Sequence, residues 1–135
     1  MADSQTLYAV AVEDDEGSAL LLQAILRRMG ISTSIHSTGE HFLQYIRELP
    51  TCPDMVLMDI NLPRQSGIEI AKELRNDPQF ANTIIIAISA VDTNTYIPKV
   101  KEAGFNAFLR KPINRINFVK QIERILDGEA IWETH

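Results

Sequence analysis

Short apolar runs alternate along the chain with longer segments in which apolar residues recur every three or four positions. The first pattern is typical of buried strands, and the second is typical of amphipathic helices. Strands are predicted at 7–12, 32–36, 55–58, 83–88 and 107–109. Helices are predicted at 18–29, within 37–48, from 66 to the residue before Pro78, within 93–103, and at 114–127.

Particular residues mark where these helices begin. The pairs Ser37/Glu40 and Ser66/Glu69 have the form of a capping box, and Asn114 is predicted to cap the fifth helix. Pro98 is incompatible with a regular helix interior, so we expect the fourth helix to start late or to have a distorted first turn.

The third and fourth strands are continuously apolar, as strands that are covered on both faces must be. Five strands that alternate with five helices predict an α/β fold, in which helices wrap a parallel sheet through right-handed crossovers. We expect a doubly wound five-stranded parallel sheet with strand order 2-1-3-4-5 if the winding is flavodoxin-like.

The chain has 135 residues, of which 45% are hydrophobic and 23% charged, as is typical of one globular domain with a buried core. We expect that domain to cover residues 7–127. A disordered or extended segment is expected at 1–6 and a short tail at 128–135.

The net charge of −5 argues against binding of nucleic acid through bulk charge, although it leaves room for a small basic patch. Cys52 is the only cysteine, which excludes an internal disulfide. No segment resembles a signal peptide, and no run approaches the roughly 18 apolar residues of a membrane helix. We therefore expect a cytoplasmic protein without direct nucleic-acid or membrane contacts.

Polar side chains follow four of the predicted strands at the point where each strand ends. Glu13 and Asp14 follow the first strand, Asp59 the third, Ser89 the fourth and Lys111 the fifth. Ligands of open α/β sheets bind at the carboxyl ends of the strands, so these groups are expected to converge there. Acids, a hydroxyl and an ammonium group together suit a divalent cation and a phosphoryl group.

Mg²⁺ prefers oxygen ligands, and Glu13, Asp14, Asp59 and the backbone carbonyl of Asn61 could supply them. A cation would also relieve the repulsion between the carboxylates. An aspartate can attack phosphorus, and phosphoryl transfer then needs mainly positioning and charge stabilisation. Taken singly, each of these residues is as well explained as a turn or capping residue, and Asp15 is assigned that ordinary role. Their joint position at strand ends favours the functional interpretation.

Short motifs along residues 7–126 resemble those of a response-regulator receiver domain of bacterial two-component signalling, of the stand-alone type. They are Val12-Glu13-Asp14, Met58-Asp59-Ile60-Asn61-Leu62-Pro63 with Gly67, Ser89-Ala90, Ala103-Gly104 and Lys111-Pro112. The resemblance implies that Asp59 accepts a phosphoryl group from a histidine kinase or a histidine phosphotransfer protein. It also implies a Mg²⁺ site at Glu13, Asp14, Asp59 and the Asn61 carbonyl.

The resemblance further implies that Ser89 and Lys111 bind the phosphoryl group. Phe108 falls where the family has a rotating aromatic switch, often Tyr; Phe lacks the hydroxyl, so such a switch would work by burial. The surface of the fourth helix, fifth strand and fifth helix would then change and control a downstream effector protein. No effector domain follows the fifth helix, so we expect the output to be a protein contact.

Three other interpretations fit these residues less well. A haloacid-dehalogenase-type phosphatase needs a second Asp where this chain has Asn61, which cannot shuttle a proton. A flavin or dinucleotide protein shares the fold class, but the chain has no G-x-G-x-x-G motif. A degenerate receiver that acts only as a docking module is disfavoured because the acceptor, metal and phosphate positions are all filled.

Overall fold

The computed structural model describes residues 6–62, 66–90 and 93–133, with only the backbone given at 93 and 94. The strands are β1 (Leu7–Val12), β2 (Ile31–His36), β3 (Met55–Asp59), β4 (Ile84–Ser89), β5 (Ala107–Arg110) and β6 (Ile131–Trp132). The helices are α1 (Glu16–Arg28), α2 (Phe42–Arg47), α3 (Gly67–Arg75), α4 (Thr93–Ala103) and α5 (Arg115–Leu126), with a short 3₁₀ turn at Pro78–Phe80. Pro63 of the motif given above, residues 1–5 of the expected N-terminal segment and residues 134–135 of the expected tail lie outside the described residues.

The strands form one parallel sheet with the order β2-β1-β3-β4-β5-β6. This confirms the predicted α/β class and the flavodoxin-like order 2-1-3-4-5. Alternate strand residues enter two separate apolar clusters, one on each face of the sheet. One cluster contains buried side chains of α2, α3 and α4, and the other contains those of α1 and α5. The sheet is therefore covered on both sides, as its apolar central strands require.

Capping side chains set the start of three helices. Asp15 accepts a hydrogen bond from the Ser18 amide (2.8 Å) and begins α1, which confirms its assignment as a cap. Ser66 caps α3, and Asn114 caps α5 by accepting from the Asn117 amide (3.0 Å). These bonds satisfy backbone donors that have no partner within the helix.

The prediction that a capping box at residues 37–40 begins the second helix is wrong. The helix α2 begins only at Phe42, after His41, whose φ of 61° is left-handed and whose side chain makes no capping bond. The Thr38 hydroxyl instead accepts from the Glu40 amide (3.2 Å). A local side-chain turn of this kind competes with helix initiation and delays it.

The expectation that Pro98 delays α4 is also wrong. Pro98 is exposed and lies inside a helix that runs without interruption from Thr93. Its ring removes one backbone donor, but Val100 and Ala103 on the same helix are buried in the core. Tertiary packing of these residues outweighs the local propensity of proline.

A sixth strand, β6, was not predicted. It lies in the expected tail and pairs in parallel with β5, with Ile131 opposite Ala107 and Trp132 opposite Phe108. None of the helices within 6–62, 66–90 and 93–133 combines the length and the apolar character needed to cross a bilayer.

Candidate functional site

Two buried acids lie side by side at the carboxyl end of the sheet. Asp59 is the last residue of β3, and Glu13 follows β1, which is the neighbour of β3 in the sheet. The two residues are 6% and 2% exposed, respectively. The Glu13 amide donates to the His36 carbonyl (2.9 Å), which holds the end of β1 against β2.

An ammonium group from the end of β5, which lies beyond β4 in the sheet, contacts both acids. The Nζ atom of Lys111 lies 2.7 Å from Glu13 Oε1 and 3.2 Å from Asp59 Oδ2. Lys111 follows β5 directly, and its backbone N–H donates to the Ser89 carbonyl (3.0 Å), so its position depends on β4 as well. Burial alone would lower the pKa of Lys111, but Glu13 and Asp59 outweigh this and raise it.

The pKa of Glu13 is raised as well, although a raised pKa favours the neutral form of this group. Burial raises the pKa of its carboxyl group, and the negative charge of Asp59 adds to the effect. The Lys111 ammonium and the Asp15 amide, which donates to Glu13 Oε2 (3.0 Å), oppose it. Three carboxylates share one ammonium group here, so a further cation would be stabilised.

The donor set suits Mg²⁺. Among the described residues, Glu13, Asp14 and Asp59 each offer a carboxylate oxygen, and these oxygens lie within 4.8 Å of one another. Asp14 is exposed, so the cluster opens to solvent on one side. Mg²⁺ is bound by one or two carboxylates while it keeps several waters, and this half-open arrangement permits both.

The Asp59 carboxylate is held at both oxygens. Its Oδ1 accepts from the backbone N–H of Asn61 (2.9 Å), and its Oδ2 faces Lys111. The structure thus brings Asn61 to the site through its amide. The use of its carbonyl as a metal ligand stays a prediction.

Ser89 and Phe108 belong to the strands that carry the site. Ser89 ends β4, is 1% exposed and lies opposite Arg110 in the pairing of β4 with β5. Phe108 lies within β5, is fully buried, and packs in the same apolar cluster as Val100 of α4. Phe108 and the buried residues of α4 therefore belong to one close-packed core.

Gly67 has a role at the site that the sequence did not reveal. A Cβ atom at this position would collide with the carbonyl oxygen of Asp59 and lie 2.8 Å from the Cα of Ile60. The Gly67 amide donates to the Ile60 carbonyl (3.2 Å). The first turn of α3 therefore packs directly on the backbone that presents Asp59, and a glycine permits this approach.

A cleft of about 270 Å³ opens beside the acids, between the start of α1 and the end of β2. Its lining includes Glu13 and Asp14, together with Leu20 and Gln23 of α1. Leu20 is 63% exposed, so its side chain is available for an apolar contact. Of the three clustered acids, Glu13 and Asp14 line this cleft.

The chain matches the family model of the response regulator receiver domain over residues 9–123. It is 31% identical over 125 residues to the polar-differentiation response regulator DivK of Brucella ovis, covering 93% of this chain and 99% of that protein. It is 32% identical over 119 residues to DivK of Brucella anthropi, covering 88% of this chain and 94% of that protein.

Solved structures agree in fold. The chemotaxis response regulator CheY4 of Vibrio cholerae superposes with a TM-score of 0.81 at 21% identity, covering 90% of this chain and 99% of that one. The receiver domain of the sensor histidine kinase PA1611 of Pseudomonas aeruginosa, which has a magnesium ion coordinated in its active-site cleft, gives 0.79 at 23% identity, covering 92% and 100%. The family match, together with an acidic pocket that fits a phosphoacceptor site, identifies this chain as a member of the response regulator receiver domain family of two-component signalling.

Proposed function

We propose that this chain is a phosphorylation-dependent switch in which Asp59 accepts a phosphoryl group from a phosphohistidine, with Mg²⁺ bound at Glu13, Asp14 and Asp59. The donor would be a histidine kinase or a histidine phosphotransfer protein. The observation that carries the proposal is the contact of one ammonium group, on Lys111, with both Asp59 and Glu13. That arrangement supplies an acceptor, metal ligands and a counter-charge within one strand-end cluster.

In the transfer step, a carboxylate oxygen of Asp59 forms a bond to phosphorus while the phosphorus–nitrogen bond of the donor breaks. The electron pair of that bond returns to the imidazole nitrogen. Bound Mg²⁺ would neutralise part of the charge on the phosphoryl oxygens and orient them. Lys111 already faces Asp59 Oδ2, so a small movement of its ammonium group would bring it to a phosphoryl oxygen.

The donor histidine would enter through the cleft beside α1. Glu13 and Asp14 line this cleft, and the exposed side chain of Leu20, which also lines it, offers an apolar contact. Such a contact would help to orient a helix of the donor protein next to the acids. The phosphoryl group would then pass to Asp59, which lies next to Glu13 and Asp14 in the carboxylate cluster.

The output would pass through β5. Ser89 and Lys111 would bind the phosphoryl oxygens, and Phe108 would repack as the end of β4 moves toward the phosphate. Since Phe108 shares its cluster with Val100, the surface made by α4, β5 and α5 would shift between two packed states. A downstream effector protein would read that surface, without direct binding of nucleic acid.

An intact-mass measurement after incubation with acetyl phosphate and Mg²⁺ tests this proposal. We expect the mass of one added phosphoryl group, dependent on Mg²⁺ and absent from Asp59→Asn. Asp15→Asn, which keeps the cap of α1, serves as the matched control and should label normally. Equal labelling of Asp59→Asn would contradict the acceptor assignment. No labelling in any sample, at any Mg²⁺ concentration, would favour a docking module instead.

A further inference from the structure

The edge of β5 is covered by the chain itself. In the sheet order β5 would be the last strand, but Ile131 and Trp132 pair with it as β6. An uncovered edge strand presents free backbone donors and acceptors that readily pair with another extended chain. The site that such a chain would use is therefore present here and is already occupied.

The segment 131–133, which we call the edge segment, is held by specific contacts. The Glu133 amide donates to the Phe108 carbonyl (2.8 Å), and its Oε1 accepts from the Arg110 amide (2.7 Å). The Trp132 ring packs against the cluster that contains Phe108, and the Lys101 ammonium lies 5.1 Å from its centroid. The edge of β5 thus recognises an aromatic residue that is followed by an acid.

The chain turns back toward β5 through a defined helix end. Gly128 has a φ of 98°, a left-handed conformation that glycine adopts without strain. Its amide donates to the Ile125 carbonyl (3.0 Å), and the Glu129 amide donates to the Arg124 carbonyl (3.1 Å), which closes α5 and reverses the chain. The edge segment is therefore directed to β5 by a built turn.

The edge segment is short and only half-buried at each of its three residues. Segments with few buried contacts open at low cost relative to the core of the same protein. On β5 it bonds Phe108 and Arg110, and the next residue of the chain is Lys111, which contacts Asp59. The β5 residues that hold the edge segment are thus adjacent in sequence to Lys111, which is proposed to bind the phosphoryl group.

We propose that the edge of β5 is a docking site for an extended segment of a partner protein, an aromatic residue followed by an acidic one, and that residues 131–133 occupy this site until Asp59 is phosphorylated. The partner strand would replace the main-chain bonds of β6, as in other cases of strand addition to a sheet edge. This inference rests on the proposed function, because movement of Phe108 and Lys111 in the phosphorylated state is what weakens the hold on Trp132 and Glu133. The alternative is that β6 is a permanent cover of the sheet edge.

Trp132 is the single tryptophan of the chain, so its fluorescence reports the edge segment directly. Wild type and Asp59→Asn would be compared before and after acetyl phosphate and Mg²⁺, with intact mass taken on the same samples. We expect a red-shifted Trp132 emission and faster hydrogen exchange at the Arg110 and Glu133 amides in phosphorylated wild type alone. A mass gain with unchanged emission and exchange would overturn the link to phosphorylation and leave β6 a permanent cover.

A peptide experiment tests the docking site without phosphorylation. The probe is a fluorescein-labelled peptide with the sequence of residues 129–133, and the double variant Trp132→Ala, Glu133→Ala provides an uncovered edge. Anisotropy should show binding to the double variant about tenfold or more tighter than to wild type, where the tethered segment competes at high effective concentration. A peptide with alanine at the positions of Trp132 and Glu133 should bind neither the wild type nor the double variant.

The two arms separate the possible failures. Absence of a mass gain in the first experiment would overturn the proposed function of Asp59, whereas the peptide arm would still decide the docking site. Equal or absent binding of the probe to wild type and to the double variant, with circular dichroism confirming that both are folded, would overturn the docking site.

Discussion

Lys111 Nζ lies 2.7 Å from Glu13 Oε1, although the strands that these residues follow, β5 and β1, are separated by β3 and β4 in the sheet. The lysine spans that distance because its side chain reaches across the ends of the strands. Its Nζ atom also lies 3.2 Å from Asp59 Oδ2. One ion pair thus connects both outer strands of the site to the central acid. A change in the charge at Asp59 therefore alters the electrostatic interactions of both Glu13, after β1, and Lys111, after β5.

Removal of the Lys111 charge should destabilise the metal-free protein. Lys111→Met keeps much of the side-chain volume but leaves Glu13 and Asp59 buried without their counter-ion. We expect the free energy of unfolding to fall by roughly 2 kcal/mol, because a buried carboxylate that loses its partner is strongly penalised. Urea unfolding without metal measures it.

Mg²⁺ should reverse most of this loss, since it supplies the missing positive charge to the same carboxylates. The stabilisation by Mg²⁺ should therefore be larger in Lys111→Met than in wild type. Lys120→Met, an exposed replacement on α5, is the matched control and should unfold like wild type. Equal unfolding curves for Lys111→Met and wild type would show that the ion pair contributes nothing to the fold.

Asp14 should determine metal affinity while contributing little to stability. It is exposed, yet one of its oxygens belongs to the three-carboxylate cluster. We expect Asp14→Asn to weaken Mg²⁺ binding by roughly tenfold, about 1.4 kcal/mol, because one of the charged ligands becomes neutral. Titration of Mg²⁺ followed by calorimetry measures the affinity. Asp15→Asn changes the neighbouring acid and should leave it unaltered; equal losses for both would indicate a general charge effect.

Much of the fold could be predicted because the apolar pattern of the strands is strong. Met55 and Leu57 enter one cluster while Val56 and Met58 enter the other, so β3 can only be a strand covered on both faces. The wrong predictions are those in which a weak local preference of the sequence was outweighed by other contacts in the folded protein. Pro98 does not delay α4, because Val100 and Ala103 of the same helix are buried in the core.

The candidate site could be predicted as a set of residue types at strand ends, since parallel strands bring those ends together. Its geometry could not. The contact of Lys111 with two acids depends on side-chain reach across the sheet, and the close approach of Gly67 to Asp59 depends on the packing angle of α3. The strand β6 was missed because two residues after a helix carry almost no periodic signal.

Gly67 should tolerate no side chain. In Gly67→Ala the added Cβ would meet the Asp59 carbonyl oxygen, which is backbone and cannot move aside without shifting the acceptor. We expect a loss of about 1–3 kcal/mol in the free energy of unfolding, typical of overpacking, and slower phosphorylation by acetyl phosphate. Both can be measured on the same protein.

Gly17 offers the matched control for this substitution. A Cβ there lies 3.6 Å from Asp15 Oδ2, an ordinary contact, and the position is helical. Gly17→Ala should stabilise the protein by up to about 1 kcal/mol through helix propensity and label at the wild-type rate. Wild-type stability and labelling in Gly67→Ala would mean that α3 can move away from β3 at no cost.

His36 should make the stability depend on pH below neutrality. It is half-buried at the end of β2, with its ring 4.1 Å from that of Tyr45 and 5.9 Å from that of Phe42. Burial lowers the pKa of His36 below its ordinary value of 6.5. The unfolded chain therefore binds more protons than the folded one in this range, and the free energy of unfolding falls as the pH drops through 6.5.

The contribution of His36 is isolated by comparison with His36→Phe, which keeps an aromatic ring and cannot titrate. The stability difference between wild type and this variant should be constant above about pH 7 and should shift against wild type as the pH falls toward 5. His41→Asn removes an exposed histidine at a left-handed position that asparagine tolerates, and it serves as the control for a general effect of losing one histidine. A pH-independent difference between wild type and His36→Phe would show that the imidazole is equally solvated in both states, and the aromatic contacts would then have to open in solution.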